Sequence, residues 1–327
     1  MTAVTATPIP SDEPGLWRTF GRLTPYLLRP GVTDLFVTGA GELWSDGPPH
    51  GLRREEGWCA DAAEARSLAV RLIGAGGRHI DEATPFVDVR LRGGVRVHAV
   101  LPPVSTGGAL LSIRVPPRVQ PTLDELVAAG GMRPPDGDRL LRAVRARTNL
   151  LITGAGGAGK TTLLAALLAT APPDERIVVI EDVAELRIPH PHVVGLETRQ
   201  PNLEGAGGVD LRRLVREALR MRPDRLVLGE CRGEEVSDML GALNTGHDGG
   251  AGTLHANSLD DVPARLEALG ALAGLDRALA RQAVSAIGLV VHLERDGPAR
   301  RVNGFGRLRA GPDGRLTIER IDRGDRS

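Results

Sequence analysis

The chain has 327 residues, enough for two domains that each bury a core; Lys plus Arg equals Asp plus Glu at 41 each, and aromatic residues make up 2%. A formal net charge of zero argues against a general nucleic-acid binder, and so few aromatic side chains leave little for stacking single-stranded bases. Cys59 and Cys231 form no CxxC pair, which argues against a zinc site or a disulfide framework and fits a reducing, cytoplasmic compartment.

In chain order, residues 1–30 read as a short, loosely ordered leader with an amphipathic turn around Leu16–Leu28. Met1 to Gly15 lacks a basic-then-apolar signal pattern. The longest apolar run found, Leu163 to Ala171, falls short of the ~20 residues that span a bilayer, so no transmembrane segment is expected. Residues 31–116 read as a mixed α/β domain. Asp34–Thr38 and Glu42–Ser45 form a hairpin, and apolar Ala65, Leu68, Ala69, Leu72 and Ile73 give Ala62–Ile73 helical spacing. Strands Phe86–Leu91 and Val95–Val100 flank a turn at Arg92-Gly93-Gly94, and Ala109–Val115 is a third strand closed by Pro116-Pro117.

Residues 117–135, proline-rich around one short helix at Leu123–Ala129, read as a linker. From 136 to 327 the pattern alternates. Helices at 138–146, 160–169, 210–221 and 233–243 separate strands at 149–153, 176–180, 192–197, 225–229 and 252–255, which implies a parallel sheet covered on both faces. Helices at Asp260–Leu272 and Asp276–Ala286 follow, then strands at Gly288–Leu293, Val302–Arg307 and Arg315–Arg320.

The segment Gly154-Ala155-Gly156-Gly157-Ala158-Gly159-Lys160-Thr161 matches G-x-x-x-x-G-K-[ST] in full, between an apolar strand and a helix that takes in Thr162. Its glycines let backbone N–H groups turn inward around phosphate oxygens, helped by the helix N-terminus. Lys160 then reaches the β- and γ-phosphates of ATP, and the Thr161 hydroxyl joins the Mg²⁺ shell. Lys160 is also the only lysine in the chain, every other basic residue being arginine. A compact ammonium is not interchangeable with a planar guanidinium, so its survival inside this loop points to chemistry.

Three further clusters follow apolar strands. Arg225-Leu-Val-Leu-Gly229-Glu230 carries a carboxylate to the edge beside the phosphate loop, where Glu230 can hold Mg²⁺ through water or polarise the attacking water. Glu181, Asp182 and Glu185 crowd one strand end, which is unfavourable unless cations lie nearby, and Mg-nucleotide supplies one. The alternative is that Asp182 simply caps a helix. His247 and His255 bracket the turn Gly249-Gly-Ala-Gly252, both at loop edges, which favours function over a structural role; His255, at the end of a strand expected beside the P-loop strand, can hydrogen-bond the γ-phosphate or the water-positioning carboxylate.

Taken in order, these segments resemble the type II/type IV secretion ATPases, closest to the tight-adherence (Flp) pilus-assembly branch. The resemblance runs from Val32 to Leu293 through Ile180-Glu-Asp182…Glu185-Leu, Leu196-Glu-Thr-Arg199-x-Pro-Asn202, Glu217-Ala-Leu-Arg-Met-Arg-Pro-Asp-Arg225, Gly229-Glu230-x-Arg-Gly233 and Asn244-Thr-Gly-His-Asp-Gly249. It implies a RecA-like P-loop domain behind a smaller α/β domain, nucleotide at the interdomain cleft and a hexameric ring. It further implies an aspartate box of Glu181, Asp182 and Glu185, Glu230 as the Walker B acid, and His255 in a histidine box. First-domain arginines reach the phosphates in such proteins. Arg114 occupies the matching position and Arg96 is the next candidate, the alternative being a strand arginine paired with a surface carboxylate.

Some positions depart from the pattern. Gly156 and Ala158 stand where relatives carry hydroxyls, Gly-Ala-Gly follows Gly249 where a serine is usual, the long leader is nearly absent and no tetracysteine motif is present. The expectation is an Mg-dependent ATP-hydrolysing motor for pilus assembly or protein secretion, peripheral at the inner face of the plasma membrane and working with inner-membrane platform proteins. Its rivals are a DNA-translocating, conjugation-related ring ATPase and a non-hydrolytic nucleotide-binding scaffold.

Overall fold

A computed structural model describes residues 14–47, 50–115, 120–199, 206–274, 278–297 and 299–322. The chain forms two compact units divided after Val119. The expected closure at Pro116-Pro117 and the Pro201-Asn202 part of one motif lie outside the described residues.

The N-terminal unit holds helices α1 (Pro14–Phe20) and α2 (Thr24–Leu27), strands β1 (Asp34–Val37), β2 (Glu42–Asp46) and β3 (Arg53–Cys59), helix α3 (Ala62–Ala75), and strands β4 (Phe86–Arg90), β5 (Arg96–Val100) and β6 (Leu110–Arg114). The six strands make an antiparallel sheet in the order β3-β2-β1-β6-β5-β4. Alternate residues such as Leu35, Val97, Leu111 and Ile113 point into one core with Leu68, Leu72 and Ile73 of α3, as a two-residue period requires. Asp61 caps α3 by accepting from the Glu64 amide at 2.7 Å.

Two expectations need correction here. Residues 14–30 are not a loose leader, because Phe20, Leu23 and Leu27 are fully buried in the same core. Strand β3 escaped the sequence pattern because it is an edge strand of mostly charged residues whose buried positions are Glu55 and Trp58.

The second unit begins with α4 (Leu123–Ala128), whose Thr122 and Glu125 form a reciprocal capping box, and α5 (Pro134–Arg145). Then come β7 (Leu150–Gly154), α6 (Lys160–Leu168), β8 (Ile177–Glu181), β9 (Val193–Glu197), α7 (Leu211–Leu219), β10 (Arg225–Cys231), α8 (Glu235–Leu243), β11 (Ala251–His255), α9 (Val262–Leu272), α10 (Leu279–Ala286), β12 (Leu289–Asp296), β13 (Ala299–Ala310) and β14 (Leu316–Ile321). The described part of the expected linker is integral to this unit. Leu123, Met132 and Leu140 share a core with Leu163 and Leu164 of α6.

The sheet order is β14-β13-β12-β7-β11-β10-β8-β9. Strands β9 through β12 pair in parallel, as the βα alternation implies. At the other end β12-β13-β14 run antiparallel, so the sheet is mixed rather than purely parallel. A hairpin needs only a tight turn where a parallel pair needs a crossover, and the final strands follow one another without an intervening helix.

Candidate functional site

Register aligns the C-terminal ends of the central strands. Gly154 at the end of β7 pairs with His255 of β11 on one side and Leu293 of β12 on the other. The phosphate loop therefore leaves the sheet between two neighbours, at the edge where parallel α/β sheets bind ligands. Gly154, Gly157 and Gly159 have φ of +152°, +71° and +92°, conformations that L side chains rarely adopt. Close approach adds a second demand at Gly154, where a Cβ would stand 2.5 Å from the Leu293 carbonyl oxygen. Beyond Gly159 the chain enters α6 at Lys160. Its first-turn N–H groups, among them those of Thr161 and Thr162, have no intrahelical acceptor and give the loop an electropositive end.

The Lys160 ammonium donates to the carbonyls of Gly154 and Ala155, each at 2.9 Å. Burial pushes its pKa below the usual lysine range; Glu230 pulls it back up, Arg232 depresses it further, and Glu185 raises it. Those three side chains bring the separate sequence clusters within electrostatic reach of the loop. Ala158 is fully buried, so its methyl packs in the core where a hydroxyl stands in the related pattern.

Strand β10 carries an irregularity at its functional end. Leu228 pairs with Gly252 and Cys231 with Leu254, so β10 has one extra residue around Gly229 and Glu230. Such a bulge re-aims a side chain, and Glu230 is left partly exposed at the edge. Its carboxylate is paired with the Arg232 guanidinium. Arg232 also lies 3.6 Å from Asp182. Burial opposes the charge on Arg232, but the bond to Glu230 and the fields of Asp182 and Glu185 outweigh it and hold its pKa above the ordinary value. The cation that relieves the carboxylate cluster in this structure is thus a side chain. Arg232 carries no role in the sequence reading; its place two residues past Glu230 was the available signal.

Glu181 is nearly fully buried, and its Oε1 accepts from the amides of Glu185 at 2.9 Å and Leu186 at 3.0 Å. The carboxylate therefore shapes the turn that holds Asp182 and Glu185. Asp182 in turn accepts at its carbonyl from the Thr198 hydroxyl at 2.9 Å. Neither residue caps a helix: β8 runs through this turn to β9 with no helix between them.

The two histidines separate. His255 is exposed at the end of β11 beside the phosphate loop. His247 precedes β11, at the opposite end of that strand, with its ring 3.2 Å from the Ala242 carbonyl at the end of α8. A five-residue strand spans roughly 16 Å, so His247 does not join this site. A different histidine does lie under it. His292 on β12 is buried and meets the Thr153 hydroxyl, one residue before the loop, at 2.9 Å. Burial depresses its pKa; Glu294 raises it, Arg320 lowers it, and a backbone bond with Asn257 and the charge of Asp261 raise it. A lone polar residue inside the apolar run Val290-Val291-His292-Leu293 was the signal for it.

Arg114, at the end of β6 in the N-terminal unit, is largely exposed and pairs with Asp34 on β1 at 3.4 Å. Directly across β5 and β4 stand Arg96 and Arg90, so one sheet edge carries a row of three arginines. Among the described residues no cluster of three or more His, Cys, Asp or Glu side chains could hold a metal by itself, and no helix is long and apolar enough to cross a membrane.

Residues 62–300 match the type II/IV secretion system protein family. A putative conjugal transfer protein of Mycobacterium tuberculosis is 52% identical over 288 residues, covering 86% of this chain and 82% of that protein. The type IV secretion system protein PtlH of Bordetella pertussis is 36% identical over 266 residues, covering 75% of this chain and 78% of PtlH. Among solved structures, the pilus retraction motor PilT with bound ADP superposes with a TM-score of 0.59 at 21% identity, covering 89% of this chain and 78% of PilT. At that identity the likeness is one of fold alone, a RecA-like unit that follows an N-terminal one. On the extent of the family match and the half-identical relative, the chain belongs to the type II/IV secretion system protein family.

Proposed function

We propose that the chain is an ATP-hydrolysing motor. The observation that carries this reading is the complete phosphate loop at the C-terminal sheet edge, with Lys160 in the joint field of Glu230, Glu185 and Arg232. The loop amides and the α6 N-terminus bind the triphosphate, and Lys160 moves its ammonium from the Gly154 and Ala155 carbonyls to phosphate oxygens. Glu230 orients the attacking water once Arg232 shifts toward the phosphates or toward Asp182. His255, at the neighbouring strand end, reports on the terminal phosphate. Arg114 is the N-terminal unit's candidate for a guanidinium bond to phosphate.

A magnesium ion fits the donors present. A threonine hydroxyl, Thr161, and carboxylates at strand ends, Glu230 and Asp182, match a hard cation that keeps most of its waters and takes phosphate oxygens, without an all-protein cage. It would supply charge neutralisation on the transferring phosphate.

The finer reading is a motor for pilus assembly or secretion, hexameric and peripheral at the cytoplasmic face of the membrane, closest by its motifs to the tight-adherence branch. A second reading, a conjugation-related motor, is favoured by the 52% identical relative's description as a conjugal transfer protein. Zero net charge weighs against direct DNA handling by this chain. DNA binding that falls steeply with salt would reverse that preference.

The test of the enzyme assignment is phosphate release by the purified chain, with and without magnesium. Lys160→Ala should lose turnover by at least two orders of magnitude with the fold retained. Glu230→Gln should lose turnover comparably while keeping nucleotide affinity. Turnover retained in Lys160→Ala would sink the site, and equal loss of binding in both variants would remove the distinction between cradle and water activation.

A further inference from the structure

The phosphate loop is unusually bare. Between Gly154 and Lys160 it contains only glycine and alanine, and a Cβ at Gly156 would meet nothing within 4 Å. Peptide planes between such residues turn over at little steric cost. Yet in a phosphate cradle a carbonyl must point away, because its oxygen and the phosphate oxygens are both acceptors and repel. Something outside the loop has to hold the planes.

The β12–β13 hairpin supplies that hold. Its two strands run antiparallel past the loop, with Arg295 directly opposite Arg300. The Arg300 Nε donates to the Gly157 carbonyl at 2.8 Å. Its aliphatic stem covers Gly159, where a Cβ would stand 3.3 Å from Arg300 Cδ. Gly157 is itself at a φ of +71°, so one arginine pins the plane that follows a left-handed residue of the loop. The Arg295 guanidinium lies just beyond, 3.5 Å from a Cβ at Gly157.

The same strand grips a second element. Two residues after Arg300, the Val302 amide donates to the Gly131 carbonyl at 2.8 Å. Gly131 sits between α4 and α5, in the segment that follows the N-terminal unit in sequence. A Cβ at Gly131 would stand 3.5 Å from the Arg300 carbonyl oxygen, so the two backbones run close. Phosphate loop, β13 and the α4–α5 turn are thereby joined through two hydrogen bonds two residues apart.

We propose that Arg300 is a positioning residue for the phosphate loop, and that β13 carries the state of that loop to the α4–α5 turn. This rests on the reading of the loop as a nucleotide site. When phosphate orders the Gly157 plane, Arg300 is ordered with it. The Val302–Gly131 bond, on the same short stretch of strand, then opens less often. A nucleotide-dependent stiffening of the segment leading from the N-terminal unit is the output a two-unit motor needs.

The experiment is residue-resolved amide exchange on the full chain, with and without ADP and magnesium, in the parent, Arg300→Ala and Arg300→Lys. In the parent, nucleotide should slow exchange at Gly157–Thr161 and also at Val302, by about fivefold or more. Arg300→Ala should keep the slowing at α6 with nucleotide affinity about five- to tenfold weaker, and lose the slowing at Val302. Arg300→Lys, which retains a donor, should recover part of both. The β7 amides serve as the control for folding and should match in all three. Protection of the loop with Val302 unmoved in the parent, or moved equally in Arg300→Ala, overturns the brace while leaving the nucleotide site standing. No protection of the loop by nucleotide in the parent overturns both.

Discussion

Gly229→Ala should destabilise the second unit by about 2–4 kcal/mol, though it adds one methyl group at a position whose φ is ordinary. Gly229 lies on β10 immediately before Glu230, and a Cβ there would stand 2.6 Å from Glu181 Cγ, 3.1 Å from its Oε1 and 3.3 Å from its Cδ. Ordinary contact begins near 3.4 Å, so the Glu181 side chain must retreat by about 0.8 Å at Cγ. It has no easy retreat. The residue is nearly fully buried, and Oε1 holds the amides of Glu185 and Leu186 at 2.9 and 3.0 Å. Overpacking of this size costs roughly 1–3 kcal/mol. Stretching two bonds to a charged acceptor adds a loss of similar order. Partial relaxation keeps the total below their sum.

The mechanism is separable by a double-mutant cycle. Glu181→Ala alone strands the two amides and should cost about 1–3 kcal/mol. With that side chain gone, Gly229→Ala should add less than about 1 kcal/mol, a coupling of roughly 1–3 kcal/mol between the sites. All three tryptophans and the single tyrosine, at 17, 44, 58 and 26, belong to the N-terminal unit. Their fluorescence therefore follows the N-terminal unit and serves as an internal control. Urea unfolding of the second unit is followed by far-ultraviolet circular dichroism. Costs that add within ~0.5 kcal/mol would refute the clash and leave Glu181 with some role other than a strut against Gly229.

Two further outcomes can be measured on the same material. Because burial depresses the His292 pKa, the unfolded chain takes up a proton below about pH 6.5 that the folded chain refuses, so the stability His292 contributes is fully present above that pH and is lost as pH falls through the folded value. His292→Gln should flatten this acid-side decline in unfolding midpoint, and an unchanged slope would remove His292 as its source. Arg114→Ala should lower ATP turnover about tenfold or more while costing less than about 1 kcal/mol of stability, since its exposed pair with Asp34 is weak; turnover equal to the parent's would make Arg114 a structural strand residue and send the search to Arg96.

What the sequence yields follows from how local each feature is. The runs Leu150-Leu-Ile, Ile177-Val-Val-Ile and Leu226-Val-Leu are legible as buried parallel strands because every face of them is apolar. The phosphate loop is legible because its chemistry is contiguous. Arg232 was not, since its meaning depends on a bulge that turns Glu230 outward and on Asp182, fifty residues earlier in the chain. Arg300 lies in a stretch of exposed charge where nothing distinguishes one arginine from the next until the hairpin folds over Gly157. His247 misled for the converse reason. Eight residues separate it from His255, but a strand runs between them and sends the two to opposite edges of the sheet.

That division between edges extends to whole strands. Just before β7, Asn149 donates to the Ala286 carbonyl and accepts from the Gly250 amide; the strand ends at Gly154 and the phosphate loop. Strand β10 begins at Arg225, which is almost wholly buried, pairs with Glu175 and donates to the carbonyls of Val144 and Gly249; near its other end it carries Glu230. Arg147 joins the same lower network through Glu175 at 2.8 Å and the Asp224 carbonyl. The polar groups at strand starts are thus bonded to backbone carbonyls or to each other, and removing one would strand a buried charge or donor. At the strand ends, Glu230 and Asp182 are instead paired with the partly exposed Arg232, and such pairs can change partners at modest cost. A sheet built this way keeps register from below while its upper edge exchanges ion pairs, so loss of Arg225 should unfold what loss of Arg232 only disarms.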